Sequence, residues 1–396
     1  MIFEHTWRWF GPGDPISLKE IRQVGVTGIV TALHHIPVGE TWSIEEIVKR
    51  KNIIEREGLK WSVVESLPVH ENIKKGSDNC SILIENYRQS IRNLAACGIK
   101  TVCYNFMPVL DWSRTGLSVE TKDGTITTRF ESAVFAAFDL YILKRPEAEK
   151  DYSFDLIKNA EIYYKNMSDD ENDELIRTIL FGLPGSLETL PFEDFKNAVL
   201  EYNRIGEAKV RENLYNFIME IIPAAEESGV LMAIHPDDPP WPLLGLPRVA
   251  GTKQDLLNII GACDSPSNGI TFCTGSLGAG YKNDLMDMVK TFAHRINFVH
   301  LRSLERDEKG NFTETWHLEG DMDIYSIMKE LLIEQKRREA SGIKNFKIPM
   351  RPDHGQLMLF EKDKKGIYPG YSLLGRMRGL AELRGLELGI IRSLDL

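Results

Sequence analysis

Along this chain a helical pattern of apolar positions repeatedly stops at Gly and gives way to a short β-branched run. The first copy is Ser17 to Val24, then Gly25, then Gly28-Ile29-Val30-Thr31-Ala32-Leu33. The second is Ser43 to Glu57, then Gly58 and Trp61-Ser62-Val63-Val64-Glu65. A third runs from about Ser81 to Cys97, with Gly98 before Thr101-Val102-Cys103-Tyr104, and a fourth ends at Ser228-Gly229 before Val230-Leu231-Met232-Ala233-Ile234. Gly suits the left-handed residue just past a helix end, so these four are stop signals with a mechanism. The starts agree: Ser17 with Glu20, and Ser43 with Glu46, match capping boxes. Ile44, Ile47, Val48 and Ile54 fall near one face of the second helix, as a helix laid on a sheet requires.

Continuous apolar strands separated by helices predict a parallel sheet covered on both faces. Strands are expected to begin near Ile2, Thr27, Trp61, Lys100, Val230, Gly269, Ile296 and Lys347. Eight such strands alternating with helices predict an α/β fold, a single (β/α)₈ TIM barrel over 1–396, which needs roughly 250 residues. The excess lies between strands four and five, and most of 106–205 reads as an insertion on the strand-four loop. It carries a hairpin signal at Lys122-Asp123-Gly124 and helical patterns near 154–180 and 193–204. A doubly wound open sheet is the competing architecture, without a GxGxxG or Walker loop to support it.

Apolar residues are 42% of the chain and charged ones 27%, which supplies a large core and argues against disorder. Lys and Arg number 48 against 58 Asp and Glu, a net charge of −10 that disfavours nucleic acid and anionic membranes as partners. No segment approaches the roughly 18 consecutive apolar residues of a membrane span. The opening Met1-Ile2-Phe3-Glu4-His5 lacks the features of a secretory signal. The cysteines (Cys80, Cys97, Cys103, Cys263, Cys273) form no CxxC pair, which argues for a reducing compartment. A cytoplasmic location, a small-molecule substrate and a homo-oligomeric assembly are the expectations.

Reactive groups in such barrels sit at the C-terminal ends of the strands. Of nine histidines, His5, His34, His35, His70, His235, His300 and His354 fall at or just beyond predicted strand ends. His235, Cys273, His300 and Asp353 close the last four strands, so they would ring the barrel mouth. Two imidazoles, a thiolate and a carboxylate suit a divalent transition metal, and the need for an open coordination position favours Mn2+ or Fe2+ over tetrahedral zinc. The competing reading makes Cys273 a small core residue and pairs His235 with Asp237. His354, beside Asp353, is a candidate acid or base, as is Tyr368 in Gly366-Ile367-Tyr368-Pro369-Gly370-Tyr371; an aromatic plug is the alternative for Tyr368. Arg8 and Arg302 are candidates for binding a substrate carboxylate, with ion pairing to an acidic neighbour as the alternative. His317 would touch substrate or cap the next helix.

The phrases His235-Pro236-Asp237-Asp238-Pro239-Pro240, Phe272-Cys273-Thr274-Gly275-Ser276, Val299-His300-Leu301-Arg302 and Arg351-Pro352-Asp353-His354-Gly355 resemble the D-mannonate dehydratase family. Glu4-His5-Thr6-Trp7-Arg8-Trp9-Phe10-Gly11 and Tyr104-Asn105-Phe106-Met107 fit it too, and the likeness spans essentially the whole chain. It implies a xylose-isomerase-like barrel and a lyase of hexuronate breakdown that converts D-mannonate to 2-dehydro-3-deoxy-D-gluconate plus water with Mn2+ or Fe2+. By motif it implies His235, Cys273, His300 and Asp353 as metal ligands, and His354 and Tyr368 as the acid–base pair. A metal-dependent sugar isomerase on the same barrel is the nearest rival, and the thiolate counts against it. A barrel endonuclease would need a basic stripe, and a binding module without chemistry would not need four ligands at strand ends.

Overall fold

The computed structural model describes residues 2–181, 191–344 and 346–394. In chain order its strands are β1 (Glu4–Arg8), β2 (Gly28–Thr31), β3 (Lys60–Glu65), β4 (Thr101–Tyr104), β5 (Gly116–Glu120), β6 (Ile126–Phe130), β7 (Leu231–Ile234), β8 (Asn268–Cys273), β9 (Ile296–Leu301), β10 (Leu304–Arg306), β11 (Phe312–Glu314) and β12 (Pro349–Pro352). Eight of them close a barrel in the order β1-β12-β9-β8-β7-β4-β3-β2, every pairing parallel. Because β1 pairs with both β2 and β12, the sheet has no edge, which excludes the open doubly wound alternative.

The barrel closes on the apolar runs that predicted it. Val30, Val63, Cys103, Ala233 and Phe298 point inward from five strands and form a buried plug. Burying side chains of this size stabilises the fold by about 1.5–3 kcal/mol each for the larger ones. Helices pack outside, and their ends follow the sequence. Ser17 and Glu20 form the reciprocal capping box, and Gly25 stops that helix at φ 88°. Ser43 accepts from the Glu46 backbone, but the box is only half made: the Glu46 carboxylate turns to Lys49 and His35 instead.

His5 departs from its expected place. β1 runs on to Arg8, so His5 sits near the start of the strand, away from the mouth, where its Nε2 meets Glu387 at 2.7 Å. The residue that strand one delivers to the mouth is Arg8.

Between β4 and the barrel helix Glu207–Ser228, the chain forms β5, β6 and the helices Phe154–Asn166, Asp169–Leu180 and Phe192–Ile205. Residues 182–190 of this segment, within the 106–205 stretch read as an insertion, lie outside the described residues. The β5–β6 hairpin turns at Asp123-Gly124 and joins β10 and β11 in a second, antiparallel sheet of order β10-β11-β6-β5. This sheet stitches the loop after β4 to the loop after β9, and an Ile126–Leu357 bridge adds the loop after β12. No helix among the described residues is long and apolar enough to cross a membrane.

Candidate metal centre and active site

Strand register assembles the site. Cys273 on β8 lies opposite His300 on β9, and His300 lies opposite Arg351 on β12. His235 follows β7 directly. One donor atom from each of His235, Cys273 and His300 can be chosen so that all lie within 4.8 Å of one another. His235 Nε2 is 3.2 Å from His300 Nδ1, and His300 Nε2 is buried without a hydrogen-bond partner. The His235 Nδ1–H donates to the Pro236 carbonyl at 2.7 Å, so Nε2 is the nitrogen that would ligate a metal, in place of the proton. Pairing of His235 with Asp237 does not occur; Asp237 accepts from the Ala250 backbone instead.

Asp353 adjoins this trio with Oδ2 3.6 Å from Cys273 Sγ, and it is held by Arg351 and by Arg302, whose Nε is 3.0 Å from Oδ2. Glu65, on β3, sits on the other flank, 3.6 Å from His300 Nε2 and 3.0 Å from Arg351 Nη2. The charges act on the two imidazoles in opposite senses. Burial opposes a proton on His235, yet Cys273, Glu65 and Asp353 outweigh it and raise the group to about 9. Burial and then Arg351 hold His300 well below its usual range. One imidazole thus sits in a negative field strong enough to retain a proton, and a cation would feel the same field. An N, S, N donor set, an orphaned imidazole nitrogen and a neighbouring carboxylate fit a divalent transition metal.

A cavity of about 240 Å³ opens beside His235 and Asp353, while Cys273 and His300 are buried and do not line it. Arg8, Glu65, His235, Arg302, Asp353 and His354 line one end, and Trp112, Asp111 and Met107 from the segment after β4 form a wall. His354 is buried, with Nδ1 2.6 Å from Glu314 Oε2 and Nε2 4.0 Å from Asp353 Oδ1. Its ring packs edge-on against Tyr371 (centroids 5.1 Å apart) and Trp112 (5.8 Å).

The other expected site residues divide. Arg8 lines the cavity and pairs with Glu65 Oε2 at 3.3 Å. Arg302 also lines it, but its guanidinium is engaged by Asp238, Glu314 and Asp353, which is the ion-pairing alternative. Tyr368 is not brought to the cavity: its ring lies edge-on to Phe10, centroids 4.9 Å apart, and Tyr371 lines the cavity in its stead. Both rings meet Phe10 edge-on, Tyr371 with centroids 4.8 Å apart, and the intervening Gly370, at φ 78°, lies hard against the His354 ring. His317 neither lines the cavity nor caps the next helix, whose cap is Asp323. It is buried against Gly379 with neither ring nitrogen partnered among the described residues.

Sequence reasoning passed over Tyr371, Glu65, Asp111 and Glu314. Glu65 ends an apolar strand, a position that could have flagged it. Asp111 takes a hydrogen bond from Asn105 at 3.0 Å beside the cavity, and no motif marks it. Glu314 was hidden because the short hairpin around Asp307 to Gly310 went unread.

The family model described as D-mannonate dehydratase (UxuA) matches residues 3–394. The chain belongs to the D-mannonate dehydratase family. A mannonate dehydratase of Marinomonas sp. (strain MWYL1) is 53% identical over 392 residues, which cover 99% of this chain and 100% of that protein. Another, from Chromohalobacter salexigens, is 51% identical over 98% of each. Among solved structures, the mannonate dehydratase of Streptococcus suis serotype 2 superposes with a TM-score of 0.79 at 33% identity, covering 100% of this chain and 96% of that one. The D-mannonate dehydratase likeness therefore extends across the barrel, the segment after β4 and the site.

Proposed function

We infer that this chain is a hydro-lyase that dehydrates D-mannonate to 2-dehydro-3-deoxy-D-gluconate and water in hexuronate breakdown. Membership of the family over residues 3–394 supports that activity. The observation that carries the site assignment is the clustering of the His235, Cys273 and His300 donors, with Asp353 beside Cys273, at a cavity that His235, Asp353 and His354 line. His235, Cys273 and His300, with Asp353 beside them, would hold Mn2+ or Fe2+. When bound, the ion supplies Lewis acidity toward the substrate carboxylate and so makes the C2 proton easier to remove.

The rest falls to the chain's own side chains. His354 Nε2, without a hydrogen bond among the described residues, takes the proton from C2, and the C2–H bonding pair forms the C2=C3 double bond as the C3–O bond breaks. The C3 hydroxyl needs a proton to leave as water. Burial pushes the Tyr371 phenol up to about 12, against the lowering pull of Arg351, so it stays protonated and is the acid. Tyr371 is preferred to Tyr368 for this role because it lines the cavity beside His354. Arg8, at the same end, is placed to receive a carboxylate oxygen. The enol product becomes the 2-keto acid by moving one proton from oxygen to C3. Trp112, Asp111 and Met107 form a wall of the cavity.

The test is to incubate the protein with D-mannonate and assay a 3-deoxy-2-keto acid, before and after chelation and after adding back Mn2+ or Fe2+. Product formation that needs the metal is expected; full turnover by a metal-free sample overturns the metal assignment.

A further inference from the structure

We propose that Glu314 is a positioning residue for proton transfer, holding the His354 imidazole with Nδ1 protonated and Nε2 open to substrate. The proposal rests on the reading of His354 as the base. Glu314 Oε2 lies 2.6 Å from His354 Nδ1, and both residues are buried. The other oxygen is engaged by guanidiniums: Arg114 Nη2 is 2.6 Å from Oε1, and Arg302 Nη1 pairs with it as well. Burial opposes ionisation of this carboxylate, but His354, Arg302 and Arg114 together keep it ionised, so Oε2 can only accept. Nδ1 must then donate, and in a neutral imidazole the lone pair falls on Nε2.

One contact points the other way. Arg302 Nη1 is 3.0 Å from the same Nδ1, and a nitrogen bearing a lone pair could accept from it. The carboxylate contact is shorter and joins a donor to an acceptor that has no alternative role, so it decides the tautomer. The same hydrogen bond would stabilise the imidazolium once His354 has taken a proton.

Glu314 reaches this position through the second sheet. It ends β11, which lies between β10 and β6, and Thr127 Oγ1 on β6 donates to the Glu314 carbonyl at 2.9 Å. Arg114, which completes the ion cluster with Asp238 at 2.7 Å, also comes from the segment after β4. That segment therefore bears on the reacting histidine through a strand that the barrel does not contain.

The experiment is steady-state kinetics on the metal-loaded full chain with Glu314→Gln, Arg114→Gln and His354→Asn. Glu314→Gln is expected to lower kcat by about tenfold to a thousandfold, with KM for D-mannonate and bound metal unchanged. Arg114→Gln disturbs the same ion cluster but keeps the Glu314–His354 contact, so its kcat should fall less. Should Glu314→Gln fail to fold, Glu314→Asp, which keeps the charge and withdraws the oxygen, is expected to show the same split between kcat and KM. A Glu314 variant with wild-type kcat overturns the proposal, and so does Arg114→Gln losing as much kcat as Glu314→Gln. His354→Asn separates the two layers. If it abolishes turnover while Glu314→Gln is unimpaired, positioning alone has failed; if His354→Asn is fully active, the base assignment fails and this proposal with it.

Discussion

Cys273 and His300 stand opposite one another in register on neighbouring parallel strands, so backbone pairing alone sets their sulfur and imidazole side by side. A site built on two strands of a closed barrel can change one ligand without losing its frame.

Cys273→Ser is accordingly expected to cut metal affinity by at least about tenfold while the fold persists. Metal content after dialysis, read beside the thermal midpoint, checks this. Unchanged metal content would remove Cys273 from the ligand set.

The proposed proton donors give opposite expectations for two tyrosines three residues apart. Tyr371→Phe and His354→Asn should each lower kcat by about 10²–10⁴. Tyr368→Phe, on the ring that packs against Phe10, should leave turnover near wild type. The reverse ranking of the two tyrosine variants would return the role to Tyr368.

Acid should weaken the fold through His317. Burial holds this histidine at about 4 against the upward pull of Asp353, from an ordinary 6.5. Above about 6.5 both folded and unfolded states are neutral here and the stability is complete. As pH falls toward 4 the unfolded state takes up the proton first, so up to about 3 kcal/mol is lost. Urea midpoints at pH 7 and pH 4.5 should therefore fall less in His317→Gln than in wild type. Equal falls would mean that His317 is not held neutral.

Three glycines of the C-terminal helix Leu373–Ser393 offer a matched comparison. A Cβ on Gly379 would sit 2.2 Å from the buried His317 ring, whereas one on Gly385 or Gly389 meets nothing within 4 Å. Helix propensity favours Ala by about 1 kcal/mol at each position. At Gly379 the clash, about 1–3 kcal/mol, outweighs it. Gly379→Ala should lower the thermal midpoint and Gly385→Ala should raise it; a midpoint raised in both would show that the His317 ring can move aside.

The eight barrel strands could be read from sequence because a strand buried on both faces is an apolar run, and glycines such as Gly25 and Gly229 mark where each preceding helix stops. The clustering of His235, Cys273 and His300 was legible for the same reason, since residues closing successive strands must meet at the mouth. β10 and β11 were not, being three residues each and part polar. Glu314 became visible only through a contact spanning 40 residues, which no local pattern encodes. Which of Tyr368 and Tyr371 lines the cavity depends on the course of one Pro-Gly turn, and spacing from His354 does not fix that. His5 was misplaced because a strand's first residues and its last can be equally apolar on either side of a histidine.

The seam between β1 and β12, where Glu4 pairs with Pro349, has a consequence for how the molecule is made. During synthesis β1 waits for β12, the last strand of the barrel, on the order of tens of seconds at ordinary rates. Until then the outer edge of β1 presents bare backbone, and His235, Cys273 and His300 have no Arg351 or Asp353 beside them. Joining the native termini and reopening the chain elsewhere would change which strands are left waiting, and with them the species most exposed to aggregation during synthesis.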